Sequence, residues 1–166
     1  MRFLLPLTTL VSIASAETGL AAWLRYAPFP GAASHLSSLP STVVALNATN
    51  SSPVYTAGKE IREALKGVFN ATVKVQHPPE KTYPNSSAVV VGTVAEYEKA
   101  YGALASPPDL IADGFWLDTT GSVVKIIGQD ERGALYGAFE YIQMVAQGNF
   151  SMFLYDSYGY TGLISS

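Results

Sequence analysis

The sequence predicts an α+β fold, a two-layer sandwich in which a mixed, mostly antiparallel sheet carries helices mainly on one face. Strand-like and helix-like segments alternate in the order β-α-β-β-α-β-β-α. Two consecutive strand-like segments are separated only by Thr120-Gly121, a pair typical of a hairpin turn. Because a hairpin imposes antiparallel pairing, a purely parallel, doubly wound sheet is not expected. A sheet of about five strands is predicted.

Hydrophobic periodicity places each element along the chain. Short apolar, β-branched runs predict strands, and apolar residues that recur every three to four positions predict helices. The predicted strands are Thr42–Leu46, Thr72–Val75, Ala88–Gly92, Gly114–Thr119 and Ser122–Gly128. The predicted helices are Pro53–Phe69, a helix that Thr93 and Glu96 cap and that extends to Leu104, and Glu131–Gln147, which Asp130 caps. The segment Glu17–Ser38 is expected to be irregular.

The last predicted helix has a narrow polar stripe. Its polar residues are Arg132, Glu140, Gln143 and Gln147, with Tyr136 in the same stripe. A helix that is apolar over so wide an arc is covered on more than one side. Gly133 and Gly137 lie one turn apart and predict a close approach of another element. The sheet covers one side, and the other is expected to need a partner outside this chain, so an exposed apolar patch and self-association are predicted.

The first sixteen residues are predicted to be a secretory signal peptide. Arg2 supplies the positive charge, Phe3–Ile13 is an apolar run, and Ala14-Ser15-Ala16 matches a cleavage site. The run is about half the roughly 20 apolar residues that a membrane span needs. The mature chain is therefore expected to begin at Glu17 and to be secreted into the extracellular space.

Composition limits the partners and the chemistry. The formal net charge of the 166 residues is −3 and the basic residues do not cluster, so neither nucleic acid nor a membrane is an expected partner. The absence of cysteine excludes a thiol nucleophile and iron–sulfur or zinc–cysteine sites. His35 and His77 lack ligand-spaced partners, so no metal site is predicted. Val91-Gly92-Thr93 lacks the further glycines and the lysine of a phosphate loop, and no cofactor is expected.

Five N-glycosylation sequons accompany the signal peptide. Their acceptors are Asn47, Asn50, Asn70, Asn85 and Asn149. Several sequons in one secreted chain are consistent with surface loops at these positions. Asn47 and Asn50 are three residues apart, and full occupancy of both is not expected.

Four carboxylates are the candidates for glycosidic acid/base chemistry, which requires a pair of them. They are Asp113, Asp118, Asp130 and Glu131. Each also has a structural interpretation: a turn for Asp113, a strand for Asp118, and a helix N-terminus for the other two, where the dipole favours negative charge. The structural interpretation is favoured, and no catalytic residue is assigned. Four aromatic residues are candidates for stacking on sugars, although packing is the commoner role: Trp23, Tyr26, Phe29 and Trp116.

A set of motifs carries a family resemblance. In chain order they are Trp23–Pro28 (W-L-R-Y-A-P), Val43–Asn47, Asp113–Trp116 (D-G-F-W), Arg132–Ala138 (R-G-A-L-Y-G-A) and Gln147–Phe150. Together they are similar to fungal α-glucuronidases of glycoside hydrolase family 67, over residues 17 to about 151. The final hairpin and helix also resemble the accessory domains of β-hexosaminidase-like enzymes.

The resemblance implies the N-terminal accessory domain of an inverting glycosidase. The parent enzyme would remove glucuronic acid or its 4-O-methyl form from xylo-oligosaccharides, with the catalytic carboxylates in a (β/α)8 barrel. On this interpretation residues 1–16 are the signal, 17–151 the accessory domain and 152–166 an atypical tail, so the barrel partner is absent and the chain alone is inactive. The alternative is a free-standing secreted carbohydrate-binding module. The narrow polar stripe of the last helix favours the first interpretation.

Overall fold

A six-stranded mixed sheet forms the centre of the structure. The computed structural model describes residues 31–77, 83–84, 86–105 and 109–149, and the backbone of Tyr160–Gly162. The strands are β1 (Thr42–Ala45), β2 (Lys74–Gln76), β3 (Ala88–Thr93), β4 (Phe115–Thr120), β5 (Val123–Gly128) and β6 (Tyr160–Gly162). They are arranged in the order β2-β1-β3-β5-β4-β6.

Three α-helices pack on this sheet. They are α1 (Pro53–Phe69), α2 (Val94–Tyr101) and α3 (Glu131–Ala146), and a 3-10 helix over Ala32–Ser38 precedes β1. The predicted order β-α-β-β-α-β-β-α is therefore confirmed from β1 to α3, as is the α+β sandwich with a mixed sheet. None of the helices among the described residues is long and apolar enough to cross a membrane.

The expectation of a mostly antiparallel sheet was wrong. The β2–β1, β1–β3 and β3–β5 pairs are parallel, and only β4 pairs antiparallel, with β5 and β6. The hairpin fixes the β4–β5 pair locally. By contrast, α1 returns the chain to the edge at which β1 begins, so β2 runs parallel to β1. The complete burial of β3 on both faces is typical of a parallel central strand.

Each face of the sheet carries its own hydrophobic core. α1 and α3 pack side by side on one face, over inward side chains such as Val89, Leu117 and Ile126. α2 packs on the opposite face, where Tyr97 meets Val90, Trp116 and Ile127. Because alternate residues of a strand point to opposite faces, the successive apolar residues of β3 and β5 supply both cores. Helices thus lie mainly, but not only, on one face.

The α3 helix is covered on two sides by elements of this chain. Its buried residues include Ala134, Ala138 and Val145, and its partly buried Leu135 and Phe139 pack against the same core. The second side lies against α1 rather than against an external partner. The inference of two covered sides was correct, but the expectation that one of them would be left exposed was wrong, because α1 fills that place.

Glycines explain how closely α3 approaches the sheet. A Cβ added at Gly133 would lie 2.3 Å from the carbonyl oxygen of Gly114, and one at Gly137 would lie 2.7 Å from a methyl carbon of Ile126. The predicted close approach at these two glycines is therefore confirmed.

The boundaries of some elements differ from those predicted. α2 ends at Tyr101 instead of Leu104, because Gly102 leaves the helix with a φ of 92°. β2 begins two residues later than expected, and part of the segment expected to be irregular forms the 3-10 helix. β6 was not predicted; its backbone pairs with β4 from Leu117 to Phe115. Residues 1–30, which hold the predicted signal peptide, and most of the predicted tail lie outside the described residues.

Candidate functional site

The carboxyl edge of the parallel strands is the candidate functional site. β1, β3 and β5 run parallel and end at this edge, and α1, α2 and α3 follow these three strands and begin there. The chain leaves β1 towards β2 on one side and leaves β3 towards β5 and β4 on the other. Open sheets that contain parallel strands bind ligands at such a switch in strand order. The residues at this edge therefore decide what the fold can bind there.

Asn47, just beyond β1, occupies the centre of this edge. Its Nδ2 donates one hydrogen bond to Oε1 of Glu96 and another to Oε1 of Glu131, each 2.9 Å long. Its Oδ1 accepts the backbone N–H of Thr49, also at 2.9 Å. Since a primary amide has two donor hydrogens, both are in use. The half-buried Asn47 thereby links the end of β1 to helices on opposite faces of the sheet.

Glu96 and Glu131 lie in the first turns of α2 and α3. Oε2 of Glu96 accepts the backbone N–H of Thr93, and Oγ of Thr93 accepts the backbone N–H of Glu96, which confirms the predicted capping box. Helix N-termini favour negative charge and bind anions. Here the carboxylates of Glu96 and Glu131 take the place of a bound anion, and they neutralise the partial positive charge at the N-termini of α2 and α3.

Asp130 is the N-cap of α3, as predicted. Its Oδ1 accepts the N–H of Gly133 at 2.9 Å and its Oδ2 accepts the N–H of Asp113 at 2.8 Å. The hydrogen bonds from the backbone of Asp113 and then of Gly133 lower the pKa of Asp130, because they stabilise the ionised form. Asp130 therefore joins the turn before β4 to the start of α3.

Asp113 is held in the turn before β4. Its φ of 60° lies in the left-handed region, which aspartate adopts more readily than most residues. Its Oδ1 lies 2.9 Å from a guanidinium nitrogen of the exposed Arg132. The side chain is thus directed to the first turn of α3, which agrees with the turn role expected from the sequence.

Asp118 lies away from this edge, in a buried ion pair. It is directly opposite Lys125 in the β4–β5 hairpin, and the carboxylate and ammonium groups are in contact. The ammonium group also lies 5.2 Å from the ring centre of Trp116. Nearby, burial raises the pKa of Tyr83 above its ordinary value. The neighbouring Tyr97 and the negative charge of Asp118 raise this pKa further. Trp116 is itself buried in the core of the α2 face, so packing is its role here.

A small cavity lies near the opposite edge of the sheet. Its volume is about 220 Å³, and Ser37, Ser87, Thr119 and Ser122 are among its lining residues. The hydroxyl oxygen of Thr119 is buried and has no hydrogen-bond partner among the described residues. Its lining residues include serines and a threonine but no charged residue, so a neutral, hydroxyl-bearing group is the ligand it suits best.

The remaining candidate residues occupy separate places. His77 stacks on Tyr55, with 5.0 Å between the ring centres, and its Nδ1 lies 3.3 Å from the carbonyl oxygen of Ala45. Asn50, Asn70 and Asn149 are exposed. Asn85, like the aromatic candidates Trp23, Tyr26 and Phe29, lies outside the described residues.

The sequence did not predict that Asn47 and Glu96 belong to one cluster. Asn47 was predicted only as a sequon and as the end of the Val43–Asn47 motif, and Glu96 only as part of a capping box. The contacts join residues 49 and 84 positions apart in the chain. The available signal was an asparagine directly after a buried strand, together with a glutamate in the first turn of each of two later helices. Of the four candidate carboxylates, only Glu131 belongs to this cluster.

The described residues form an α+β domain whose candidate carboxylates bind other parts of the chain. The family model for the N-terminus of glycosyl hydrolase family 67 matches residues 22–141. The chain belongs to this family of N-terminal domains.

Fungal α-glucuronidases are among its relatives. The chain is 49% identical to "Alpha-glucuronidase A" of Emericella nidulans, over 91% of this chain and 18% of that protein. It is 46% identical to "Probable alpha-glucuronidase A" of Aspergillus fumigatus, over 87% of this chain and 17% of that protein. It is 42% identical to "Alpha-glucuronidase" of Hypocrea jecorina, over 82% of this chain and 16% of that protein. The chain thus spans less than a fifth of the length of these relatives.

A solved structure shows a weaker likeness. A family GH115 4-O-methyl-alpha-glucuronidase with specificity for decorated arabinogalactans aligns with a TM-score of 0.48 and 20% identity, over 64% of this chain and 13% of that one. This likeness is too distant to bear on function.

Proposed function

We propose that this chain acts as the non-catalytic N-terminal domain of a secreted α-glucuronidase that cleaves glucuronoxylan oligosaccharides. The observation that carries the proposal is the family match over residues 22–141, together with relatives named as α-glucuronidases. The catalytic carboxylates would belong to a (β/α)8 barrel, which is the proposed partner of this domain.

The carboxylates at the candidate site and in the hairpin already bind other groups of this chain, which supports a non-catalytic role. An inverting glycosidase holds two carboxyl groups roughly 6.5–9.5 Å apart, with room for a water molecule and the sugar between them. The carboxylates of Glu96 and Glu131 instead share the amide nitrogen of Asn47, which fills the space between them. Asp118 is paired with buried Lys125, and Asp130 caps α3. Moving any of them to serve a substrate would break these contacts.

Secretion and glycosylation belong to the same proposal. Their support is the charged and apolar sequence before Glu17 and the five sequons. Asn50, Asn70 and Asn149 are exposed, as an acceptor must be if it carries a glycan in the folded protein.

The experiment measures hydrolysis by the purified chain. We expect no release of glucuronic acid from aldouronic oligosaccharides under conditions in which the Hypocrea jecorina α-glucuronidase releases it. The reason is that the paired carboxylates of the reaction lie outside this chain in the proposal. Turnover by the chain that is lost in Asp113→Asn or Asp118→Asn, with folding verified by circular dichroism, would contradict it.

A free-standing carbohydrate-binding module is the second candidate function. The serine- and threonine-lined cavity with the unpartnered Thr119 favours it, and so does the covering of α3 by α1, which removes one reason to require an external partner. This candidate would take precedence if the chain bound aldouronic oligosaccharides in calorimetry and if Thr119→Val abolished the binding without unfolding the domain.

A further inference from the structure

We infer that Asn47 is reserved for a structural role and that Asn50, three residues later, is the glycosylated residue of this pair of sequons. The inference rests on the glycosylation included in the proposed function and deepens it, because it states which of two neighbouring acceptors is used. It rests on the two hydrogen bonds that Asn47 donates to Glu96 and Glu131.

The chemistry of N-glycosylation conflicts with these hydrogen bonds. The reaction forms a bond between Nδ2 of asparagine and the anomeric carbon of a sugar carried by a lipid diphosphate. One Nδ2 hydrogen leaves as a proton, and the lipid diphosphate departs with the electrons of the broken sugar–oxygen bond. The product keeps one amide hydrogen. A glycosylated Asn47 could therefore satisfy Glu96 or Glu131, but not both.

The position of Asn47 adds a steric conflict. Its Nδ2 lies 2.9 Å from a carboxylate of α2 and 2.9 Å from a carboxylate of α3, which pack on opposite faces of the sheet. A sugar on this nitrogen would have to displace at least one of the two glutamate side chains. The displaced carboxylate would lose its amide partner, which is costly for a part-buried charged group. A chain modified at Asn47 is therefore expected to fold poorly and to be retained by the secreting cell.

Asn50 meets neither obstacle. It lies in the turn before α1 and its side chain is exposed. Its own sequon ends at Ser52, whose hydroxyl caps α1 by accepting the N–H of Val54 at 3.1 Å. A glycan on Asn50 leaves both this cap and the contacts of Asn47 in place.

Two substitutions each remove one of the two sequons and leave the hydrogen bonds of Asn47 in place. Thr49→Ala removes the Asn47 sequon but keeps the backbone N–H that Asn47 binds. Asn50→Gln removes the other acceptor at an exposed position. Ser52→Ala would be a poor choice, because it would also remove the cap of α1.

The test is site-resolved mass spectrometry of the full chain secreted from a glycosylating yeast behind the host's own leader. The host leader makes the result independent of whether the native signal works. Both acceptors lie in the tryptic peptide 26–59, and enzymatic removal of a glycan converts its asparagine to aspartate, so fragmentation locates the site. We expect a glycan at Asn50 in the wild type and in Thr49→Ala, and none on this peptide in Asn50→Gln.

A second measurement tests the structural role of Asn47 directly. Asn47→Asp should lower the midpoint of urea unfolding clearly, because it places a third carboxylate between Glu96 and Glu131, whereas Asn50→Asp should not. The difference should shrink as salt screens the repulsion. A glycan on Asn47 of the secreted protein, no glycan on either residue, or equal midpoints for the two aspartate variants would overturn the inference.

Discussion

Lys125→Met is expected to lower the free energy of unfolding by about 3–5 kcal/mol, because it leaves Asp118 buried without its counter-ion. The side chains of Lys125 and Asp118 are only 7% and 12% exposed. The hydroxyl of Thr120, 3.3 Å from Asp118 Oδ2, offers a weak substitute. The variant also loses the contact of the ammonium group with the ring of Trp116. Urea unfolding followed by tryptophan fluorescence measures the change.

Two controls separate burial from charge in this prediction. Arg62→Met breaks the exposed pair with Glu63, whose side chains are 40% and 54% exposed, and should cost less than about 1 kcal/mol. The double variant Lys125→Met, Asp118→Leu removes both buried charges and should recover most of the loss. A Lys125→Met protein as stable as the Arg62→Met protein would show that Asp118 is compensated in another way.

Gly128→Ala is expected to destabilise the domain by about 3 kcal/mol or more, through a clash that backbone atoms alone create. A Cβ at this position would lie 2.1 Å from the nitrogen of Ala134 and 2.4 Å from the carbonyl oxygen of Asp130. These atoms belong to the capped first turn of α3, which would have to move away from β5. Thermal and urea unfolding of the purified variant would measure the loss.

Gly137→Ala provides the matched control, because Gly137 lies on α3, the helix against which Gly128 of β5 packs. The added Cβ would meet side-chain atoms of Ile126 and Phe115, the nearest at 2.7 Å. Side chains can shift, and alanine is favoured over glycine inside a helix by about 1 kcal/mol. The loss should therefore be smaller than for Gly128→Ala. The reverse order would mean that α3 does not lie as close to β5 as described.

Local sequence signals predicted the elements well, because each depends on neighbouring residues. The capping box of Thr93 and Glu96, the N-cap Asp130 and the hairpin at Gly121 all act within a few positions. Strand order was not predictable in the same way. It depends on where α1 returns the chain, and no short-range pattern encodes the parallel pairing of β1 with both β2 and β3.

The α3 helix shows what periodicity can and cannot reveal. The narrow polar stripe correctly indicated that two sides of the helix are covered. It contained no information about which element covers the second side, and α1, more than 60 positions earlier in the chain, takes that place. The cluster of Asn47, Glu96 and Glu131 was missed for the same reason, since its members meet only after the sheet has formed.

A domain exchange tests the central claim most directly. Residues 22–149 of this chain would replace the aligned part of α-glucuronidase A of Emericella nidulans, and a second variant of that enzyme would lack the part altogether. We predict that the chimera is secreted and releases glucuronic acid from aldouronic oligosaccharides with a kcat/KM within about tenfold of the parent, since under the proposed function catalysis belongs to the rest of the enzyme. The deletion variant should fail to yield soluble enzyme. A soluble deletion variant with full activity, or a folded chimera without activity, would contradict the account.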